Sequence, residues 1–148
     1  MGNDFARPLN ERGKADAPEM AKRLLLKAAI PDALVASPAA RATRTAELFA
    51  ETLQMPVREI IFISALYHAP AEVFYDVISG LSDTLNTIAM FSHNPGITYF
   101  VNSLSTKIKV DNMPTCAIFA VSANIGHWAD FGKSKKEALF FDYPKNLQ

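Results

Sequence analysis

Short apolar runs alternate with amphipathic stretches along the chain, and this alternation constrains the fold more than any other feature. The apolar runs cover residues 33–36, 60–63, 87–91, 116–121 and 137–141. Strand-length runs that alternate with helical patterns predict an α/β three-layer sandwich, with a mostly parallel sheet flanked by helices. A polar turn rather than a helix separates the last two runs. We therefore expect these two strands to form an antiparallel pair at one edge.

The helical stretches show apolar or small residues at the spacing of one helix face. They cover residues 17–28, 42–53, 73–81 and 97–104. Pro18 falls at the start of the first pattern, where a missing backbone N–H costs little. We found no repeat, low-complexity tract or linker, so residues 1–148 are interpreted as a single domain.

Charge and cysteine content exclude several classes of function. Fifteen basic and fifteen acidic residues give a formal net charge of zero, which argues against a general nucleic-acid or membrane-surface binder. One cysteine excludes an internal disulfide, and three histidines without ligand spacing predict neither metal nor cofactor. No apolar run reaches the roughly 20 residues of a membrane span. We expect a cytoplasmic protein.

Polar residues follow two of the predicted strands. Ser37 comes directly after one buried run, and His93 and Asn94 come after another. In open α/β sheets, ligands bind at the carboxyl ends of the strands. His93 is therefore a candidate site residue, and satisfying a loop carbonyl is the alternative. His68 and His127 are more simply interpreted as structural or surface residues.

Arg41 falls in the first turn of the helix that follows Ser37. A helix start favours anions, and a guanidinium adds a planar pair of donors for phosphate or carboxylate. The alternative is that Arg41 and Arg44 are solvated surface residues. Thr115 comes at the start of a later predicted strand. Its hydroxyl is a candidate for the rim of a pocket, and capping a turn is the alternative.

The ordered set of motifs resembles the histidine phosphatase (phosphoglycerate mutase-like) superfamily, and within it the small SixA-type phosphohistidine phosphatases. The matching segments are Asp4–Gly13, Ser37–Arg41 with Thr45-Ala46, Leu66–Ala69, His93–Gly96 and Met113–Thr115.

The resemblance implies a phosphoglycerate mutase-like fold and metal-free catalysis. A histidine attacks phosphorus to form a covalent phosphohistidine, which water then hydrolyses. It implies that Arg41 and His93 are catalytic residues that hold the phosphate oxygens. Arg7, Asn94 and Thr115 are the implied phosphate- or substrate-binding residues. A phosphorylated protein, such as a phosphorelay component, or a small phosphoester is the expected partner.

Two departures from the family pattern qualify this interpretation. The family's general acid is usually a carboxylate, and residues 64–69 contain none. A protonatable leaving group such as imidazole needs less acid assistance, which favours phosphohistidine as substrate.

The second departure is that the Arg-His-Gly-type motif, which carries the nucleophile at the end of the family's first strand, is absent. The domain therefore lacks its predicted first strand. Three interpretations follow: a shortened form of a phosphatase, a non-catalytic phosphate- or phosphoprotein-binding relative, or a fragment completed by a strand from another chain.

Overall fold

The structure is a computed structural model that describes residues 3–105 and 107–146. The helices are α1 (Glu11–Leu26), α2 (Ala40–Leu53), α3 (Ala71–Ser79) and α4 (Gly96–Leu104). The strands are β1 (Ala33–Ala36), β2 (Ile61–Phe62), β3 (Ile88–Phe91), β4 (Ile118–Ala123) and β5 (Lys136–Asp142). Short 3-10 helices cover Val57–Glu59, Ser64–Leu66 and Trp128–Lys133.

A three-stranded parallel sheet lies between two layers of helices. Its order is β2-β1-β3, and β1 is buried at every residue. Leu34 and Ala36 of β1 pack with the buried residues of α1 and α2, whereas Val35 packs on the other face with α3 and α4. Alternation of side chains across β1 thus divides the core into two layers. The predicted fold class is confirmed.

Helix α1 begins earlier than the apolar pattern indicated. The side chain of Asn10 caps it by accepting the Gly13 N–H at 2.8 Å. Pro18 therefore lies within α1, not at its start, which corrects the expectation from the pattern. A proline there removes one backbone hydrogen bond. The helix stays continuous because its buried face, which includes Ala17 and Met20, packs against α2.

The last two strands pair with each other in antiparallel fashion, as predicted, with a register shift between Ala120 and Val121. Among the described residues, however, β4 and β5 form a second sheet of their own, and β3 pairs with β1 only. The structure therefore contains two sheets where we expected one. Within residues 3–105 and 107–146, no helix is long and apolar enough to cross a membrane.

Candidate functional site

The turn between β1 and α2 holds two of the candidate groups. Ser37 is fully buried, and its Oγ accepts the N–H of Ala39 at 3.2 Å. This contact shapes the turn that leads into α2. Arg41 is the second residue of α2, as the sequence predicted, and its side chain is 20% exposed. The guanidinium is therefore largely enclosed at the carboxyl end of the parallel sheet.

His93 lies two residues beyond the end of β3 and is buried. Its Nε2 is 2.8 Å from the Oγ of Ser37, which ties the ends of β1 and β3 together. Burial, and then the positive charge of Arg41, lower the pKa of His93 to about 4. The imidazole is therefore neutral at pH 7, with one ring nitrogen that donates and one that accepts.

The backbone oxygen and the carboxylate of Asp4 occupy two donors of the Arg41 guanidinium. Its Nη1 donates to the backbone oxygen of Asp4 at 2.8 Å, and its Nη2 lies 3.3 Å from Asp4 Oδ2. The hydroxyl of Tyr67 donates to the same Oδ2 at 2.8 Å. This hydrogen bond from Tyr67, followed by the charge of Arg41, lowers the pKa of Asp4. The same bond raises the pKa of Tyr67.

Two further cationic or titratable groups approach the same carboxylate. Arg7 Nη2 lies 3.3 Å from Asp4 Oδ1, and His68 Nε2 lies 3.7 Å from Asp4 Oδ2. The ring of Tyr67 packs edge-on against His93, with centroids 5.6 Å apart. We call the set Asp4, Arg7, Arg41, Tyr67, His68 and His93 the anion cluster.

Asn94 and Thr115 lie near the cluster in different roles. The Nδ2 of Asn94 donates to the backbone oxygen of Met113 at 2.8 Å, and its Oδ1 accepts the hydroxyl of Thr98. The amide of Asn94 thus fastens the segment around Met113 to the start of α4. Thr115 is exposed, in the turn before β4. The role of both residues in substrate binding stays a prediction.

The sequence analysis missed Asp4 and Tyr67 as site residues and assigned His68 a structural or surface role. Asp4 reaches Arg41 because the N–H of Ala40, at the start of α2, donates to the backbone oxygen of Phe5 at 2.9 Å. The ring of Phe5 also packs edge-on against Tyr67, at 5.0 Å between centroids. The placement of Tyr67-His68 just after a predicted strand was the one available signal.

The cluster has the chemistry of an anion site and not of a cation site. Its donors are two guanidinium groups, a phenol and imidazoles, and a carboxylate already lies among them. In the part of the chain that the structure describes, no three His, Cys, Asp or Glu side chains come together as metal ligands.

Comparisons with known proteins agree with this fold. Residues 3–61 match the family model of the histidine phosphatase superfamily (branch 1). A search of curated proteins finds no significant match.

Solved structures match over nearly the whole chain. A candidate phosphohistidine phosphatase SixA from Agrobacterium tumefaciens aligns with a TM-score of 0.77 at 21% identity, over 97% of this chain and 87% of its own. A similar candidate from Nakamurella multipartitia aligns with a TM-score of 0.80 at 17% identity, over 98% and 89%. The protein histidine phosphatase SixA complexed with tungstate aligns with a TM-score of 0.83 at 21% identity, over 100% and 91%. The resemblance to SixA-type proteins is therefore confirmed.

Proposed function

We propose that this chain, which has the fold of SixA-type histidine phosphatases, supplies the phosphate-binding side of a phosphatase site whose substrate is a phosphohistidine on a protein. The observation that carries the proposal is the guanidinium of Arg41, which lies near His93 and already holds the carboxylate of Asp4. This guanidinium donates one N–H to the carboxylate and another to the backbone oxygen of Asp4, and the same two donors are suited to phosphate oxygens.

Each group of the cluster has a definite task in this proposal. Arg41 holds two phosphate oxygens and stabilises charge that develops on them during transfer. His93 is neutral at pH 7. When the hydroxyl of Ser37 donates its hydrogen bond to Nε2, Nδ1 carries the ring hydrogen and donates one hydrogen bond to the phosphate. Arg7, with its side chain 64% exposed, attracts the anion from solvent. Entry of phosphate requires that Asp4 release Arg41.

The nucleophile in this proposal is a histidine from outside residues 1–148, because the sequence contains no Arg-His pair. Its nitrogen attacks phosphorus as the bond to the substrate nitrogen breaks, and the departing imidazole takes a proton. Water then breaks the new phosphorus–nitrogen bond and yields inorganic phosphate. The residues of this chain bind and orient the phosphoryl group in both steps.

The protonation state of Asp4 supports phosphohistidine over alkyl phosphates. Tyr67 and Arg41 lower the pKa of Asp4, so its carboxylate is ionised at neutral pH and has no proton to donate. An alkoxide leaving group needs such a proton, whereas an imidazole can leave with less assistance. A faster reaction with an alkyl phosphate than with phosphohistidine would contradict this assignment.

The second candidate function is phosphate or phosphoprotein binding without turnover. The absence of an Arg-His pair from the sequence favours it, since binding needs only the anion cluster. The two candidates differ in one measurement: a binding protein retains phosphohistidine intact, whereas the phosphatase releases inorganic phosphate once a histidine-bearing strand is supplied.

The phosphate site is tested by titration of the chain with inorganic phosphate and with tungstate, followed by calorimetry. Arg41→Gln should weaken binding at least about tenfold, because hydrogen bonds to charged groups are the strong ones. Arg44→Gln is the matched control: Arg44 lies on the same helix, pairs with Glu47 and Glu51, and should leave the affinity unchanged. Equal effects of the two substitutions would refute the site.

Asp4→Asn provides a complementary test. It keeps the backbone contact to Arg41 and removes the negative charge that competes with phosphate. Phosphate should bind about three- to tenfold more tightly at low ionic strength, with a smaller gain at high salt. Weaker binding by Asp4→Asn would show that the carboxylate supports the anion site instead of competing for it.

A further inference from the structure

Two exposed aromatic rings pack against Tyr67 beside the anion cluster. The ring of Phe5 meets Tyr67 edge-on with centroids 5.0 Å apart, and the ring of His68 lies 4.0 Å from it at an interplanar angle of 43°. Phe5 is 39% exposed, and the side chain of His68 is 62% exposed. We call Phe5, Tyr67 and His68 the aromatic rim.

The aromatic rim adjoins the point at which the cluster holds an anion. The carboxylate oxygen Oδ2 of Asp4 accepts the hydroxyl of Tyr67 at 2.8 Å and lies 3.3 Å from Nη2 of Arg41. The Nε2 of His68 is 3.7 Å from the same oxygen. Asp4 Oδ2 therefore marks the place of an oxygen of a bound phosphate, with two of the three rings next to it.

Backbone contacts hold the rim in place before a ligand binds. The hydroxyl of Ser92 donates to the backbone oxygen of Leu66 at 2.6 Å, which fixes the segment that carries Tyr67. The N–H of Ala40 donates to the backbone oxygen of Phe5 at 2.9 Å. Rings that are ordered in advance lose little conformational entropy when they contact a ligand.

His68 has a backbone conformation that residues with a side chain rarely adopt. Its φ is 56°, in the left-handed region that glycine enters freely and that strains other residues. Core packing does not explain this strain, because the imidazole is exposed. Strained residues concentrate at ligand sites. An exposed ring held in this way beside an anion site therefore favours a role in contacting a ligand.

The chemistry of the rim selects among phosphorylated ligands. In phosphohistidine a planar ring is bonded directly to phosphorus, so the ring lies next to the phosphate oxygens. Aromatic rings attract one another in edge-to-face and offset stacked arrangements, which an alkyl group cannot reproduce. Exposed rings beside the anion site therefore fit a phosphoryl group that carries an aromatic ring.

We propose that the aromatic rim is a ring-binding subsite, in which Phe5 and His68 contact the imidazole of a phosphohistidine while Arg41 and Tyr67 hold its phosphoryl group. The inference rests on the proposed function, because the ring reaches the rim only when the phosphoryl group binds at Arg41. It deepens that function by naming the residues that distinguish phosphohistidine from alkyl phosphates.

Three phosphonates separate ring recognition from anion binding: phenylphosphonate, cyclohexylphosphonate and methylphosphonate. They are compared by calorimetry at a pH at which each carries two negative charges. Phenylphosphonate should bind about tenfold more tightly than methylphosphonate and about threefold more tightly than cyclohexylphosphonate, which has similar bulk and no aromatic ring. A surface that is merely apolar favours cyclohexylphosphonate over phenylphosphonate, and that order would overturn the proposal.

Phe5→Leu removes one ring of the subsite and keeps an apolar side chain. The affinity ratio of phenylphosphonate to methylphosphonate should fall at least about threefold. Phe62→Leu is the matched control, because Phe62 is also exposed and lies on β2, outside the rim. The ratio compares two ligands on one variant, so a change in how Asp4 competes for Arg41 does not affect it. An equal ratio in the two variants would contradict the assignment of Phe5.

His68→Asn removes the second ring, and asparagine tolerates the left-handed backbone better than most residues. The same affinity ratio should fall about two- to threefold. His127→Asn is the matched control, since His127 is an exposed histidine that pairs with Asp83. Its ratio should equal that of the wild type. A wild-type ratio in His68→Asn would overturn the proposal.

Nuclear Overhauser effects locate the bound ring directly. The phenyl protons of phenylphosphonate should show contacts with the ring protons of Phe5 and His68. Trp128, the only tryptophan, provides a resolved reference ring outside the rim. Contacts with Trp128 and none with the rim would place the ligand elsewhere and refute the subsite.

Inorganic phosphate distinguishes failure of this inference from failure of the proposed function. If phosphate binds, Arg41→Gln weakens it and the three phosphonates bind equally, the anion site stands and the ring-binding subsite is refuted. If neither phosphate nor any phosphonate binds, the proposed function fails and the inference fails with it.

Discussion

The burial of His93 makes the stability of the protein depend on pH in a defined window. The pKa of His93 is about 4 in the folded protein, against an ordinary value of 6.5. Between these two values the unfolded chain binds a proton that the folded protein does not. Stability therefore rises with pH across this window and is lost as the pH falls from about 6.5 towards 4.

The size of the effect follows from the two pKa values. Each unit of pKa difference is worth about 1.4 kcal/mol. The buried His93 should therefore lower the free energy of unfolding at pH 4.5 by about 2.5 kcal/mol relative to pH 7. Solvent at the open side of the cluster screens part of this, which leaves about 2 kcal/mol. The matching experiment is urea unfolding at pH 7.0, 5.5 and 4.5, followed by Trp128 fluorescence.

The comparison that isolates His93 is the variant His93→Gln, whose amide can still reach Ser37. Between pH 7.0 and 4.5, the free energy of unfolding of this variant should change less than that of the wild type. His127 is the control of opposite sign: the hydrogen bond to Asp83 raises its pKa, so its contribution is present below about 6.5 and lost at higher pH. If His93→Gln retains the wild-type slope, the reasoning about burial is refuted.

Two further substitutions test how the fold is supported. A Cβ added at Gly96 would lie 1.8 Å from the backbone oxygen of Ala69. Gly96→Ala should therefore lower the free energy of unfolding, measured by chemical denaturation, by about 3 kcal/mol. The control Gly126→Ala should leave it unchanged, because a Cβ there meets open space. Arg23→Met should lower the free energy of unfolding by about 3–5 kcal/mol in the same assay, because it removes the cationic partner, 3.1 Å away, of the buried carboxylate of Asp142. The carboxylate keeps its hydrogen bonds from Tyr143 and Asn146 but loses its compensating charge. A loss below 1 kcal/mol would contradict this account.

Part of the candidate site could be predicted because it depends only on local rules. Arg41 and His93 follow apolar strands, and parallel strands bring their carboxyl ends to one edge of the sheet. The contact between Ser37 and His93, which are far apart in sequence, follows from the pairing of β1 with β3. Strand type was therefore sufficient to place these residues at one edge of the sheet, whereas the strand order that brings them into contact is seen only in the structure.

Other parts of the site depend on loops whose course no periodicity reveals. Asp4 reaches Arg41 and Tyr67 because a backbone hydrogen bond and the ring of Phe5 hold its segment against α2. Sequence patterns indicate burial and secondary structure, and they carry no information about which loop crosses which strand end. The extent of α1 was missed for a related reason: the cap at Asn10 and the packing of α1 against α2 together offset the cost of an interior Pro18.

The division into two sheets could not be predicted either. It leaves β3 and β4 at sheet edges, although their sequences are typical of interior strands. A strand's pattern reveals how deeply its residues should be buried, but not which neighbour buries them. β3 is wholly apolar and β4 is apolar over its first four residues, which is typical of strands inside a sheet. Edge strands are usually protected by charges or proline, because a bare apolar edge promotes aggregation. Neither strand contains a charged residue or a proline. Their sequences therefore suit an interior position in a sheet.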